Sequence, residues 1–443
     1  MIIKSLSILA FLVGLFSTFK AFKYNIGGIY VYPLTFVFIL FVFVSLYNVF
    51  LSNIKIKILN FKKLSHLFIV IISLYFIEII FSVIIPILDA DDPWLFASLK
   101  ASLKFSIFLL FIWLVFNTSE RKISEALLKG FILSIVIQVL WGLNQIVCWY
   151  VFNININTII FEQILRIDPG HRWNNYVIYP ILRVTGLQWD PAYLGIWSLI
   201  CTFWVLIFCK HKFLKYSLLS ISLFVFINTF SRAALFGLLS TLFFCFLYKI
   251  ARFIQRWKIA LSSVKISIVS IIIGIICCCV SINLFGNFFH KIIKERININ
   301  TEGSVRHINY FEAGVYAISN SISRMFFGYG YRNGVRGLWQ IPDVEFLLPG
   351  ISDFKVPSSP ESDFVNAYLE LGIIGLILFI SIFIVGLLFL QSKKNEFLYL
   401  KKLNLINEET YLERIRYINF SFLCYGLLFF SGWFYGYKDS LWY

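Results

Sequence analysis

Two carboxylates and a scatter of arginines are the residues of this chain whose types and spacing suit chemistry. In PSSPESDFVNAYLELGIIGLILFISIF, residues 357–383, Glu361 and Asp363 stand at the start of an apolar run long enough to cross a membrane. Carboxylates there serve either as a solvated group and a helix cap, or as a general base that takes a proton from an acceptor hydroxyl. The arginines gather in two polar stretches. Arg166, Arg172 and Arg183 lie in one; Arg296, Arg306, Arg324, Arg332 and Arg336 lie in the other. A guanidinium grips phosphate oxygens in pairs and keeps its charge when partly desolvated. Its plainer role is a solvated rim that touches lipid headgroups. That role suits Arg232 less well, because it sits between two closely spaced apolar runs, where a charge is costly unless it faces a cavity or a partner. RVTGLQWDPAYLG, residues 183–195, combines Arg183, a turn at Gly186 and a helix start at Asp190-Pro191. Asp190 either caps that helix or orients an arginine or a sugar hydroxyl. Gly372 and Gly375 read as points of close helix packing rather than chemistry.

Other chemistries find no footing in the sequence. The five histidines are scattered without metal spacing, and the eight cysteines form no CxxC pair and sit in or beside apolar runs. No glycine-rich phosphate loop occurs. The sequence therefore implies no metal and no cofactor.

The elements that must position these residues are membrane helices. The chain is 59% hydrophobic and 14% charged, more apolar surface than a soluble domain can hide. Apolar runs at 3–19, 28–51, 65–88, 97–116, 127–152, 187–209, 214–230, 233–250, 264–285, 364–390 and 416–435 predict about eleven spans, within a range of about ten to twelve. The first is expected to be a retained helix, since it lacks a small-residue cleavage site. The net charge of +16 does not argue for nucleic acid, because the basic residues lie in short clusters between apolar runs. With the N-terminus inside, the basic connections such as NIKIKILNFKK and KHKFLK are cytoplasmic, and LDADDPW is external. Two external loops, about 153–186 and 286–363, are too long for turns and too aromatic for disorder. The second contains a stretch, 305–319, with the apolar spacing of an amphipathic helix. The expected fold is an all-α polytopic membrane protein. Its parts are N-terminal helices (1–152), a first loop (153–186), central helices (187–285), a second loop (286–363) and C-terminal helices (364–443).

RVTGLQWDPAYLG, LFVFINTFSRAALFGLL, SVRHINYFEAGVYAISNSISRMFFGYGYRNG and ESDFVNAYLELGIIGLILF follow one another in this order. The set resembles the successive signatures of the O-antigen ligase/polymerase superfamily of bacterial envelope enzymes. The resemblance covers about residues 183–385. It implies a metal-independent, inverting glycosyltransferase of the inner membrane that works at the periplasmic face, where the two long loops would lie. The donor and acceptor would be oligosaccharides on undecaprenyl pyrophosphate. By motif, Arg183, Arg232 and Arg306 would hold the pyrophosphate. Asp190, Tyr329, Arg332 and Arg336 would bind other parts of the substrate. The ligase branch usually places a basic histidine eleven residues before the first glycine of the GxxG helix; here that position is Glu361. WDPAYLG is similar to the EPS-type motif of polymerases, with Asp190 for glutamate. Both departures favour a repeat-unit polymerase, with Glu361 or Asp363 as the base, membrane lipid around it and a chain-length regulator protein as a partner.

Two other functions compete with this expectation. One is the ligase that moves a finished chain onto lipid A-core. The other is a flippase for lipid-linked sugar, which should line its membrane interior with charge. Glu78 reads as the sole carboxylate deep inside an apolar run, which counts against that class.

Overall fold

The computed structural model describes residues 2–19, 22, 24–51 except 27 and 28, 64–84, scattered helical positions between 99 and 111, 121–167, 177–188 except 179 and 180, 190–256, 322–330 and 363–432. The expected span at 264–285, the amphipathic stretch 305–319, residues 168–176 of the first long loop and most of the second lie outside the described residues.

Among the described residues, apolar sequence becomes helix almost throughout. The α-helices among the described residues are α1 (Ile2–Phe16), α2 (Pro33–Leu51), α3 (Leu64–Phe81), α4 (Arg121–Phe152), α5 (Pro191–Phe208), α6 (Lys212–Thr229), α7 (Arg232–Arg256), α8 (Ile322–Phe327), α9 (Asp363–Lys402) and α10 (Glu408–Gly432). α4, α5 and α9 are long and apolar enough to cross a membrane; α1, α2, α3 and α7 carry shorter apolar stretches. Large apolar side chains such as Phe36, Phe43, Phe81 and Phe213 face outward, as acyl chains would allow. The chain is a helical membrane protein.

The helix ends follow local rules. Pro191 opens α5 behind the cap of Asp190. Asn407 Oδ1 accepts from the Thr410 N–H at 2.8 Å to start α10, whose first turn carries Glu408 and Glu409. Lys401, in the last turn of α9, pairs with Glu408 at 2.5 Å. α4 begins at Arg121, so the SERK stretch expected to be a loop is partly helical.

Two short antiparallel hairpins interrupt this all-α expectation. β1 (Tyr24–Ile26) pairs with β2 (Ile29–Val31), and β3 (Val177–Ile178) with β4 (Ile181–Leu182). The first occupies the start of the run expected to be helical from residue 28, and helix begins only at Pro33.

Among the described residues, three of the core clusters join the helices. Leu6, Ala10, Val13, Leu34 and Phe41 join α1 and α2, with Ile123 of α4 beside them. Gly14 and Gly130 bring the α1 and α4 backbones together, since a Cβ on either would overlap the other helix's backbone. The central cluster packs α4, α5, α6, α7 and α10 around Val139, Leu194, Leu199, Val225, Ala234 and Leu427. A third sets Tyr75, Phe76 and Ile79 of α3 against Phe364, Phe379 and Ile382 of α9.

α9 is not one rod. Gly372 has φ 65° and ψ −163°, outside helical geometry. The rings of Phe364 and Phe379 are 5.3 Å apart, whereas an unbroken helix would separate those residues by about 22 Å. The segment before Gly372 therefore folds back along the segment after it. The sequence predicts a single uninterrupted span over 364–390; the structure replaces its first turns with a short returning arm.

Candidate functional site

The site is assembled from helix ends. Asp190, at φ −132° and ψ 138°, caps α5 by accepting the Ala192 N–H at 2.7 Å. That is the ordinary role weighed for it. Gly195, one turn on, lets the α6–α7 turn approach: a Cβ there would stand 2.8 Å from the Ser231 Cβ. The turn itself is sharp. Phe230 takes a left-handed conformation (φ 49°), and Ser231 Oγ accepts from the Ala234 N–H at 3.2 Å to begin α7. Arg232 is the first residue of α7 and is exposed.

Arg183 comes to the same turn from the other side. Its Nε–H donates to the Thr229 carbonyl at 3.4 Å, and the next residue's backbone N–H, that of Val184, donates to the Asn228 carbonyl at 3.1 Å. Two arginines nominated from sequence positions about fifty residues apart thus meet one tight turn.

α7 and α10 run antiparallel, because Gly237 packs on Leu427 and Ser431 while Thr241 packs on Gly426. The start of α7 therefore lies toward the end of α10. There Gly432 faces Asp363, whose Oδ2 would be 3.1 Å from a Cβ on that glycine. Asp363 is the first residue of α9 and only 2% exposed. It is buried rather than a solvated cap. Asn366 and Glu370, also buried, share its face of the returning arm at positions three and seven residues on.

The break at Gly372 has a partner. A helix interrupted there leaves carbonyls one turn upstream without their usual amides. Two backbone N–H groups from beyond α8 take them: Tyr329 donates to Leu369 O and Gly330 to Glu370 O, both at 2.9 Å. The approach is so close that a Cβ on Gly372 would overlap the Phe326 carbonyl, and one on Gly328 the Glu370 backbone. Both glycines also need their positive φ, 65° and 69°. Arg324 lies 4.9 Å over the ring of Tyr329 and donates from Nη1 to Gly328 O at 3.4 Å. Tyr329, nominated as a substrate contact, is buried in this latch at 3% exposure.

Of the nominated residues, Arg183, Asp190, Arg232, Tyr329 and Asp363 are described; Glu361, Arg306, Arg332 and Arg336 lie outside the described residues. Sequence reasoning missed Glu370, which at 1% exposure corrects the reading of Glu78 as the sole carboxylate deep in an apolar run. LELGIIG hid it, because an i, i+7 polar face is invisible until the helix is known to fold back. It also missed Gln138 and Gln145, which look like ordinary polar interruptions of an apolar helix.

Residues 217–380 match the family model described as O-antigen ligase, in agreement with the superfamily resemblance carried by the sequence motifs. The match takes in Arg232, α8 and the returning arm, and begins after Arg183 and Asp190. No curated protein matches the chain.

Proposed function

From the match over residues 217–380, we propose that the protein is a membrane glycosyltransferase that polymerises undecaprenyl-pyrophosphate-linked oligosaccharide repeats into O-antigen or a related surface polysaccharide. The observation that carries this reading is the convergence of Arg183 and Arg232 on the α6–α7 turn, at the end of the bundle where Asp363 is buried. In this proposal about eleven spans hold the protein in the bacterial inner membrane. The two long loops face the periplasm, and a chain-length regulator protein is a partner.

The step proposed is a single displacement. An acceptor hydroxyl attacks the anomeric carbon from the face opposite the pyrophosphate, and the anomeric C–O bond to phosphate breaks. Undecaprenyl pyrophosphate leaves with the bonding electrons, and the configuration inverts. Arg183 and Arg232, with Arg306, neutralise the charge that grows on the leaving group. Asp363 or Glu361 takes the hydroxyl proton. Asp190, Tyr329, Arg332 and Arg336 are assigned to the remainder of the substrate; for Asp190 and Tyr329 that role acts through the cap and the latch. The donor arrives already activated as a pyrophosphate, so no cofactor is required by this scheme.

Two observations keep other readings in play. The matched family model carries the description O-antigen ligase, which favours transfer of a finished chain to lipid A-core. A broken helix with buried Asp363 and Glu370 is also an architecture that secondary transporters use, which favours movement of a lipid-linked sugar. Purified protein given only lipid-linked repeats separates the three. A ladder of extended lipid-linked glycan supports the polymerase. A strict need for lipid A-core identifies the ligase, and movement of the lipid across vesicles without new linkages identifies the transporter.

A further inference from the structure

The turn that follows Arg183 is held by side chains of another helix. Gln145 Oε1 accepts the backbone N–H groups of Thr185 at 3.2 Å and Gly186 at 2.7 Å. Gln138 Oε1 accepts that of Leu187 at 2.8 Å. The same amides are anchored in turn: Gln138 Nε2 donates to the Thr18 carbonyl at 2.6 Å, and Gln145 Nε2 reaches Thr185 Oγ1 at 3.5 Å. Gln138 and Gln145 are 0% and 1% exposed. Seven residues apart on α4, they share one face. Gly142 lies between them, where a Cβ would come within 2.8 Å of Val225 and 3.5 Å of Val184. Asn157 grips the turn's other side, donating from Nδ2 to Thr185 Oγ1 at 3.1 Å and to Gly186 O at 2.8 Å; its Oδ1 accepts from Trp141 Nε1 at 2.8 Å.

We propose that Gln138 and Gln145 are positioning residues for Arg183, fixing its guanidinium on the α6–α7 turn by capturing the backbone of the turn behind it. A buried N–H is costly to leave unpaired, so the turn settles where the two amide oxygens stand. Val184 and Arg183 then have no slack, and both bond the end of α6. Glutamine suits this task better than glutamate. Its amide oxygen accepts these N–H groups and its Nε2 donates in turn, while it brings no negative charge to compete with an anionic ligand for Arg183. The inference rests on the proposed pyrophosphate role of Arg183 and adds the residues that make it precise.

The test compares wild type with Gln145→Leu, Arg183→Lys, Arg183→Ala and the double variant Gln145→Leu/Arg183→Lys. Each is purified in detergent and assayed with a lipid-linked repeat as donor. Gln145→Leu is expected to lower kcat/KM by roughly 10²-fold, the scale of an ångström-sized misplacement. The same substitution on the Arg183→Lys background should change kcat/KM by less than about twofold, because the group it positions is already gone. An equal loss in both backgrounds would mean a structural role only and overturns the proposal. Full activity of Gln145→Leu beside a crippled Arg183→Ala also overturns it, leaving the pyrophosphate reading intact. Full activity of Arg183→Ala overturns both. If Gln145→Leu does not accumulate, Gln145→Glu keeps the acceptor and adds a charge. It should raise the donor KM about tenfold, and an unchanged KM would count against the proposal.

Discussion

At the residue scale the account turns on which groups carry charge and where it is spent. Arg183→Ala and Arg232→Ala are each expected to lower chain extension by about 10²–10³-fold while the protein stays in the membrane. Polymer length on gels, set against protein level in membranes, checks this. Asp363→Asn and Glu361→Gln separate the two candidate bases: the true base loses activity, and its neighbour keeps it. Wild-type activity in both variants removes the carboxylate step. Asp190→Asn keeps an acceptor for the Ala192 N–H, whereas Asp190→Ala costs about 1 kcal/mol of stability through the lost cap. A thermal melt reads that cost, and an Asp190→Asn variant with full activity confines Asp190 to capping. Much of this was legible in the sequence. Arg183 and Arg232 are conspicuous because charge beside apolar runs is expensive, and Asp-Pro announces a helix start. Gln138, Gln145 and Glu370 were not legible. Their meaning depends on what lies across from them, and that is set by chain segments distant in sequence.

At the element scale the decisive feature is the break in α9. Periodicity identifies an apolar run and its length, and here it correctly signalled a long helix. It cannot show a reversal within that run, because Gly372 in LELGIIG reads equally well as a site of close packing. Both readings hold: the glycine packs against α8 and also supplies the left-handed conformation that turns the chain. Gly372→Ala should therefore destabilise the protein by about 1–3 kcal/mol, from strain at positive φ and from overlap with the Phe326 carbonyl. Gly328→Ala meets the Glu370 backbone and should act in the same direction. Since each glycine is required by the other's backbone, the double variant should lose less than the sum of the two. Melting temperatures of the three variants in one detergent provide the comparison. The latch joins the middle of the second long loop to the arm that carries Asp363, so loosening it should lower activity at temperatures below the melt.

At the scale of the whole molecule, helix ends from across the chain meet at one end of the bundle. Arg183 precedes α5, Arg232 opens α7, Asp363 opens α9 and Gly432 closes α10. A transfer between lipid-linked substrates needs such an end, since the isoprenoid tails stay in the bilayer while the sugars stand above it. Single cysteines at Arg332 and at Lys393 test the proposed orientation. An impermeant thiol reagent added outside spheroplasts should label the first and spare the second; the reverse pattern inverts the topology. The central claim is that these arginines hold a pyrophosphate leaving group during glycan extension. Purified protein with lipid-linked repeats as sole substrate tests it most directly, by counting undecaprenyl pyrophosphate released against glycosidic bonds formed. The account predicts one released for each bond formed, and neither product from Arg183→Ala or Arg232→Ala. Bond formation at the wild-type rate in either variant, or none in the wild type until lipid A-core is added, would contradict it.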